Sequence, residues 1–218
     1  MTAPFQVYGS PGYGSTIVEA ALELLNLPYV SIDANPEGSD EERARLAAVS
    51  PMKQVPVLVT PDGQVMTESA AILIWLGDRF PEAGLAPGPE APERAEYLRW
   101  MVFIPAAIYA MYWARDVPSR LVGEDEAAQA RLLDRTAQRI KDCWSVMESQ
   151  VEPAPWILGE RMSLVDIYVA VVSRWTPRRV WFEQACPKLN AVVERIDALP
   201  QLVGFWPRRF PFTPGWKG

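Results

Sequence analysis

The amino-acid sequence predicts a small α/β domain followed by a larger all-helical one. Three observations carry this. Short strand patterns alternate with helical ones only before residue 80, a proline-rich stretch occupies 81–92, and the periodic segments beyond it repeat at helical spacing. The expected division is therefore a domain over 1–80, a linker over 81–92 and a helical domain over 93–218.

Each element follows from its residues. "FQVYG" (5–9) reads as a strand, Val18, Ala21, Leu22 and Leu25 recur at helical spacing, and "PYVSID" (28–33) reads as a second strand, which makes a βαβ unit. "PVLVT", the turn "PDG" and "QVM" then form a hairpin, and "TESAAILIWLGDRF" places Ile72, Trp75, Leu76 and Phe80 on one face of a helix that packs back onto the sheet. The stretch 81–92, "PEAGLAPGPEAP", holds four prolines and two glycines, the composition of a linker. Residues 93–116 predict an aromatic-rich helix kinked at Pro105, because proline lacks the N–H its turn needs. Over 124–149, Leu133, Ala137, Ile140, Trp144 and Met147 line one face, as in a bundle. In "RMSLVDIYVAVVSRW" (161–175), Ser163 and Asp166 have the spacing of a capping box. The turns after them are apolar all round, the mark of a helix buried in the bundle centre.

Composition excludes several functions. The chain of 218 residues carries a formal charge of −6 and no Lys/Arg cluster, which argues against a nucleic-acid surface. The beginning has no basic segment followed by an apolar one and no stretch is long enough to span a membrane, so a cytosolic protein is expected. Cys143 and Cys186 are far apart, in neither disulfide-framework nor metal-ligand spacing, and read as core thiols. Histidine is absent, which removes imidazole-based nucleophilic catalysis and the usual imidazole metal sites. Chemistry must run on hydroxyls, carboxylates, backbone amides or a reagent brought from outside.

"SPMKQVPVLV" (50–59) sets Pro56 at the mouth of a strand, where it deletes a ladder donor. A cis proline there turns the main chain of Val55 outward, ready to pair with an extended peptide as an added strand does. A plain edge-strand proline fits the same spacing. Glu68 and Ser69 open the next helix, where free N–H groups favour a carboxylate, Ser69 can donate to it and Glu68 can pair an ammonium, a set suited to an α-amino-acid head group. "TES" before an apolar run also fits a simple helix cap. Taken together, a peptide held at Val55 and a head group at Glu68 and Ser69 describe a γ-glutamyl tripeptide.

With "SPMKQVPVL" (50–58), "TESAAIL" (67–73), the prolines after "DRFPE" and "GERMSLVDIYVA" (159–170), the chain resembles the glutathione transferase family over nearly its whole length. The resemblance implies a thioredoxin-like N-terminal domain that binds glutathione as co-substrate, an all-α C-terminal domain that supplies the electrophile pocket, no metal, and a homodimer. It places Val55 and cis Pro56 on the cysteinyl backbone and Glu68 and Ser69 on the γ-glutamyl end, with Lys53 and Gln54 beside them in the glutathione site. "PMKQVP" is similar to the zeta class, although that class's Ser-Ser-Cys run is missing. "SPGYGS" (10–15) is similar to the beta class, with Gly14 at the position of that class's cysteine.

The resemblance leaves several hydroxyls for activating the thiol: Ser15 at the start of the first helix, then Tyr8, with Ser10 and Tyr13 on the same loop and the amides around Gly14 and Ser15 as a further source. Tyr109, Tyr112 and Trp113, at i, i+3 and i+4, with Trp175, would form the apolar wall for a hydrophobic, aromatic electrophile. The expected activity is attack of the glutathione thiolate on such an electrophile. Alternatives are a glutathione-dependent β-etherase or dehalogenase, and a non-catalytic protein of the same fold that carries a ligand or serves assembly.

Overall fold

The computed structural model describes residues 3–211. They form two compact units, one of residues up to Gly88 together with those from Arg195 onward, the other Pro89–Glu194.

In the first unit the chain runs β1 (Phe5–Gly9), α1 (Ser15–Leu24), β2 (Tyr29–Asp33), α2 (Asp40–Val49), β3 (Val57–Val59), β4 (Val65–Met66) and α3 (Ser69–Arg79). The strands make one sheet in the order β2-β1-β3-β4, with β2 parallel to β1 and both hairpin strands antiparallel to their neighbours. This is the α/β layer the sequence predicts. Along β1, Phe5, Val7 and Gly9 are buried while Gln6 is exposed and Tyr8 half-buried, the period of two that a sheet imposes. Ile72, Leu73 and Leu76 of α3 are fully buried, and Trp75 and Phe80 meet the Phe5 ring edge-on at 6.5 and 6.4 Å.

The periodicity passes over α2, and for a physical reason: its one buried residue is Leu46, so it carries almost no apolar stripe. Its signature is instead the capping box of Ser39 and Glu42, where each side chain bonds the other's backbone N–H.

The second unit holds α4 (Arg94–Phe103), a π-helical turn (Ile104–Tyr109), α5 (Ala110–Asp116), α6 (Ser119–Val122), α7 (Glu126–Gln150), α8 (Leu164–Val172) and α9 (Arg178–Ala185). Beyond α9 the chain forms α10 (Pro187–Asp197) and the short α11 (Pro200–Val203) and α12 (Trp206–Arg209). The defect expected at Pro105 takes the form of the π turn, in which one surplus residue absorbs the missing backbone bond. On α7 the predicted face is real: Ile140, Trp144 and Met147 are fully buried, and the Trp144 ring meets Phe182 edge-on at 5.1 Å. Every residue of α8 is buried. Among the described residues no helix is long and apolar enough to cross a membrane.

Candidate active site

The register of the sheet brings three loop segments to one end of the first unit. Tyr8 pairs with Val57, so the loop after β1 leaves beside the start of β3. Leu58 pairs with Met66, so Thr67, Glu68 and Ser69 leave β4 at that same end. The third segment is the approach to β3, where the Val55–Pro56 bond is cis. Pro56 is buried, and Val55 is half-buried and outside the ladder, two residues before the first paired residue of β3.

The backbone here is unusual. Four described residues other than glycine have positive φ, and two of them are Lys53 (φ +53°) and Glu68 (φ +64°). Such angles cost about 1 to 3 kcal/mol and gather at ligand sites. Lys53 closes a turn by donating its N–H to the Ser50 carbonyl at 2.9 Å, and both Lys53 and Gln54 are exposed. Glu68 is exposed and its side chain does not cap α3, whose first residue, Ser69, is buried. The start of α3 thus has no side-chain acceptor from its own cap residue, which suits it to an incoming carboxylate.

In the loop from Ser10 to Ser15, the Tyr13 N–H and the Ser15 hydroxyl both donate to the Ser10 carbonyl, at 3.1 and 3.2 Å. Ser15 is fully buried and packs on Gly9, where a β-carbon would lie 2.0 Å from both Ser15 Cβ and Oγ. Glycine at position 9 is therefore a condition of the Ser15 packing. The Ser15 hydroxyl faces inward with its proton committed. Ser10 and Tyr13 are half-buried, and the Ser10 hydroxyl has no partner among the described residues. α1 starts without a side-chain cap, and the Gly14 and Ser15 N–H groups find no acceptor among the described residues.

Tyr8 stands at the site end of β1, on the face that packs against α2. Its ring packs against Ala34, Leu46 and Val57, with Val49 and Val55 alongside, and its hydroxyl makes only a long 3.5 Å contact to Gln6 Oε1. The strand alternation that buries Val7 on one face sends Tyr8 to the other, over α2.

In the helical unit, Tyr109, Tyr112 and Trp175 do come together, with ring centroids 4.9, 5.2 and 6.3 Å apart. Tyr112 is buried and donates its hydroxyl to the Thr176 carbonyl at 2.6 Å, and burial pushes its pKa up. Tyr109 and Trp175 stay half-buried. Trp113 stands apart: it is 46% exposed and lies under the Arg120 guanidinium at 5.4 Å. Within α5, Trp113 lies about 100° round the helix from the buried Tyr112, which carries it to the exposed side.

Comparison with known proteins identifies the family. The family models for the N-terminal and C-terminal domains of glutathione S-transferases match residues 15–79 and 114–208. The uncharacterised GST-like protein YncG of Escherichia coli K12 is 33% identical over 200 residues, covering 90% of this chain and 94% of its own. The chain belongs to the glutathione S-transferase family. Another relative, the glutathione S-transferase GST-4.5 of Xanthomonas campestris, is 26% identical over 88% of this chain and 93% of its own. The fold is also that of a Sulfitobacter glutathione transferase homologue solved with bound glutathione (TM-score 0.81, 24% identity, 94% of this chain and 97% of that one).

Within this glutathione S-transferase, sequence reasoning missed the inward orientation of Ser15. The available signal was Gly9, a glycine at a strand end that only a close neighbour requires. It also missed the residues from the far end of the chain that close on the same loop: the Gly12 N–H donates to the Arg209 carbonyl at 2.7 Å.

Proposed function

We propose that this glutathione transferase binds glutathione across the sheet end formed by the Ser10–Ser15 loop, Val55–Pro56 and Glu68–Ser69, and presents its thiolate to a hydrophobic electrophile. The observation that carries the reading is the convergence of a main-chain edge at Val55 with two side-chain-uncapped helix starts, α1 and α3, at one end of one sheet. Val55 pairs with the cysteinyl backbone as an added strand would. Glu68 pairs the ammonium of the γ-glutamyl group, Ser69 and the α3 N-terminus take its carboxylate, and Lys53 and Gln54 receive the glycyl end.

The thiolate is then held at the start of α1. With the Ser15 hydroxyl inside and the Tyr8 ring over α2, we assign the donation to the Gly14 and Ser15 N–H groups and the Ser10 hydroxyl, ahead of the Tyr13 hydroxyl on the same loop. A hydrogen bond to a charged group is worth about 1.5 to 3 kcal/mol, and one pKa unit corresponds to about 1.4 kcal/mol. One or two such bonds bring a thiol from an ordinary pKa of about 8.5 to neutrality, where the thiolate attacks. Tyr109 and Trp175 offer the electrophile an apolar aromatic surface on the helical unit. The active form is a homodimer, which light scattering tests.

The test is titration of thiolate absorbance in the glutathione complex. Ser10→Ala raises the bound thiol's pKa by about 1 unit, while Tyr8→Phe leaves it in place. If Tyr8→Phe raises the pKa and Ser10→Ala does not, the donor is Tyr8. No binding of glutathione by calorimetry overturns the whole reading.

A further inference from the structure

We propose that Arg209 is a positioning residue for glutathione activation, a clamp that sets the direction of the α1 N-terminal amides. This rests on the reading that the Ser10–Ser15 loop holds the thiolate. Arg209 grips that region at two points. Its main-chain carbonyl accepts the Gly12 N–H at 2.7 Å. Its guanidinium forms two parallel bonds to the Glu19 carboxylate, Nε to Oε2 at 2.6 Å and Nη2 to Oε1 at 2.7 Å.

Glu19 lies one turn beyond Ser15 on α1 and is fully buried. Ser31 on β2 donates its hydroxyl to Glu19 Oε1 at 3.0 Å, so the carboxylate is tied to the sheet as well. Burial pushes the Glu19 pKa up and the Arg209 guanidinium opposes that rise. The forked geometry is one only arginine supplies. By contrast, the neighbouring Arg208–Glu23 contact is 3.6 Å long with Arg208 largely exposed, a surface pair of little worth.

Gly12 completes the clamp. Its φ of +79° asks for glycine, whereas a β-carbon there would meet the Phe210 ring at an ordinary 3.8 Å, so backbone angle and not space selects the residue. One residue near the end of the chain thus holds the middle of the loop by its backbone and the second turn of α1 by its side chain. Between these two anchors lie the Gly14 and Ser15 N–H groups, and their aim is what the clamp fixes.

Position and charge predict different outcomes. If Arg209 acted only through charge, removing it would leave the Glu19 carboxylate to disfavour the thiolate, and removing Glu19 would leave a cation to favour it. A clamp is broken by either change. We therefore expect Arg209→Gln and Glu19→Gln each to raise the pKa of bound glutathione by about 1 unit, with about tenfold less thiolate below neutrality. kcat falls in proportion while KM for glutathione stays within about twofold, and Arg209→Lys lies between them and the unaltered protein. Shifts of opposite sign for the two variants, or unchanged thiol pKa in both, overturn the proposal. Should Arg209→Gln fail to fold, Glu19→Gln and Arg209→Lys decide in the same titration. An unaltered protein that binds glutathione without lowering its thiol pKa overturns both this inference and the thiolate reading beneath it.

Discussion

The starts of α8 and of α1 and α3 are the same kind of backbone put to opposite uses. At α8 the orphan donors are closed from within. Asp166 Oδ2 accepts the Ser163 N–H at 2.7 Å and the Ser163 hydroxyl at 3.0 Å, and Oδ1 accepts the Ile157 N–H at 2.9 Å, all buried. At α1 and α3 the cap residue's own side chain does not close the helix, and both starts stand at one end of the sheet. A helix terminus sealed by its own sequence holds the fold together. One left open beside a sheet edge is free to meet something that is not part of the chain.

The sharpest way to break this contrast is at Asp166. Asp166→Ala orphans the buried Ile157 and Ser163 N–H groups and is expected to cost about 3 kcal/mol in urea unfolding, with glutathione affinity of the folded protein unchanged. If affinity falls as well, the cap is not purely structural. The converse change is Glu68→Ala. It is expected to weaken glutathione binding by about 2 kcal/mol in calorimetry while leaving urea stability within error, because Glu68 is exposed and caps nothing. An unchanged affinity removes Glu68 from the site.

Two smaller effects refine the comparison. Burial pushes the Asp166 carboxyl up to about 6 from 3.8, against the pull of its three hydrogen bonds. The folded chain therefore keeps this proton to a higher pH than the unfolded chain, and the associated stability is present at low pH and lost as pH rises through about 6. The gap in unfolding free energy between the native sequence and Asp166→Asn should accordingly narrow by about 1 kcal/mol from pH 5 to pH 7. A widening gap would mean that the hydrogen bonds outweigh burial. Last, Glu68→Gly relieves the positive φ and should raise stability by about 0.5 kcal/mol even as glutathione affinity drops. A loss of stability would show that the angle carries no strain.

How much of this the sequence disclosed differs between the two kinds of helix start. Ser163 and Asp166 sit three residues apart before an apolar run, so the cap and the buried helix were both legible, as were the division into an α/β layer and helices and the proline at the mouth of β3. The open starts were legible as positions only. Whether Ser15 turns inward depends on the missing β-carbon at Gly9, a contact between strand end and helix that spacing does not encode. Likewise the Gly12–Arg209 bond joins residues nearly a chain length apart. α2 escapes periodicity because it buries only Leu46, and the i, i+3, i+4 spacing of Tyr109, Tyr112 and Trp113 marks one side of a helix without saying how far round it the buried part reaches.

That wide turn at Ile104–Tyr109 makes the aromatic surface of the helical unit tolerant of chain length on one side and sensitive to it on the other. A helix with one surplus residue can shed it and become regular. Everything beyond then keeps its facing, because the wide turn had held locally a residue that would rotate a regular helix by about 100°. Deleting Ala106 would therefore leave Tyr112 bonded to Thr176, whereas deleting Ala110, in the regular helix, would turn the residues after it and carry Trp113 to the place of Tyr112. Two single-codon deletions four residues apart thus have opposite consequences for the aromatic surface, and neither alters a residue proposed to hold glutathione.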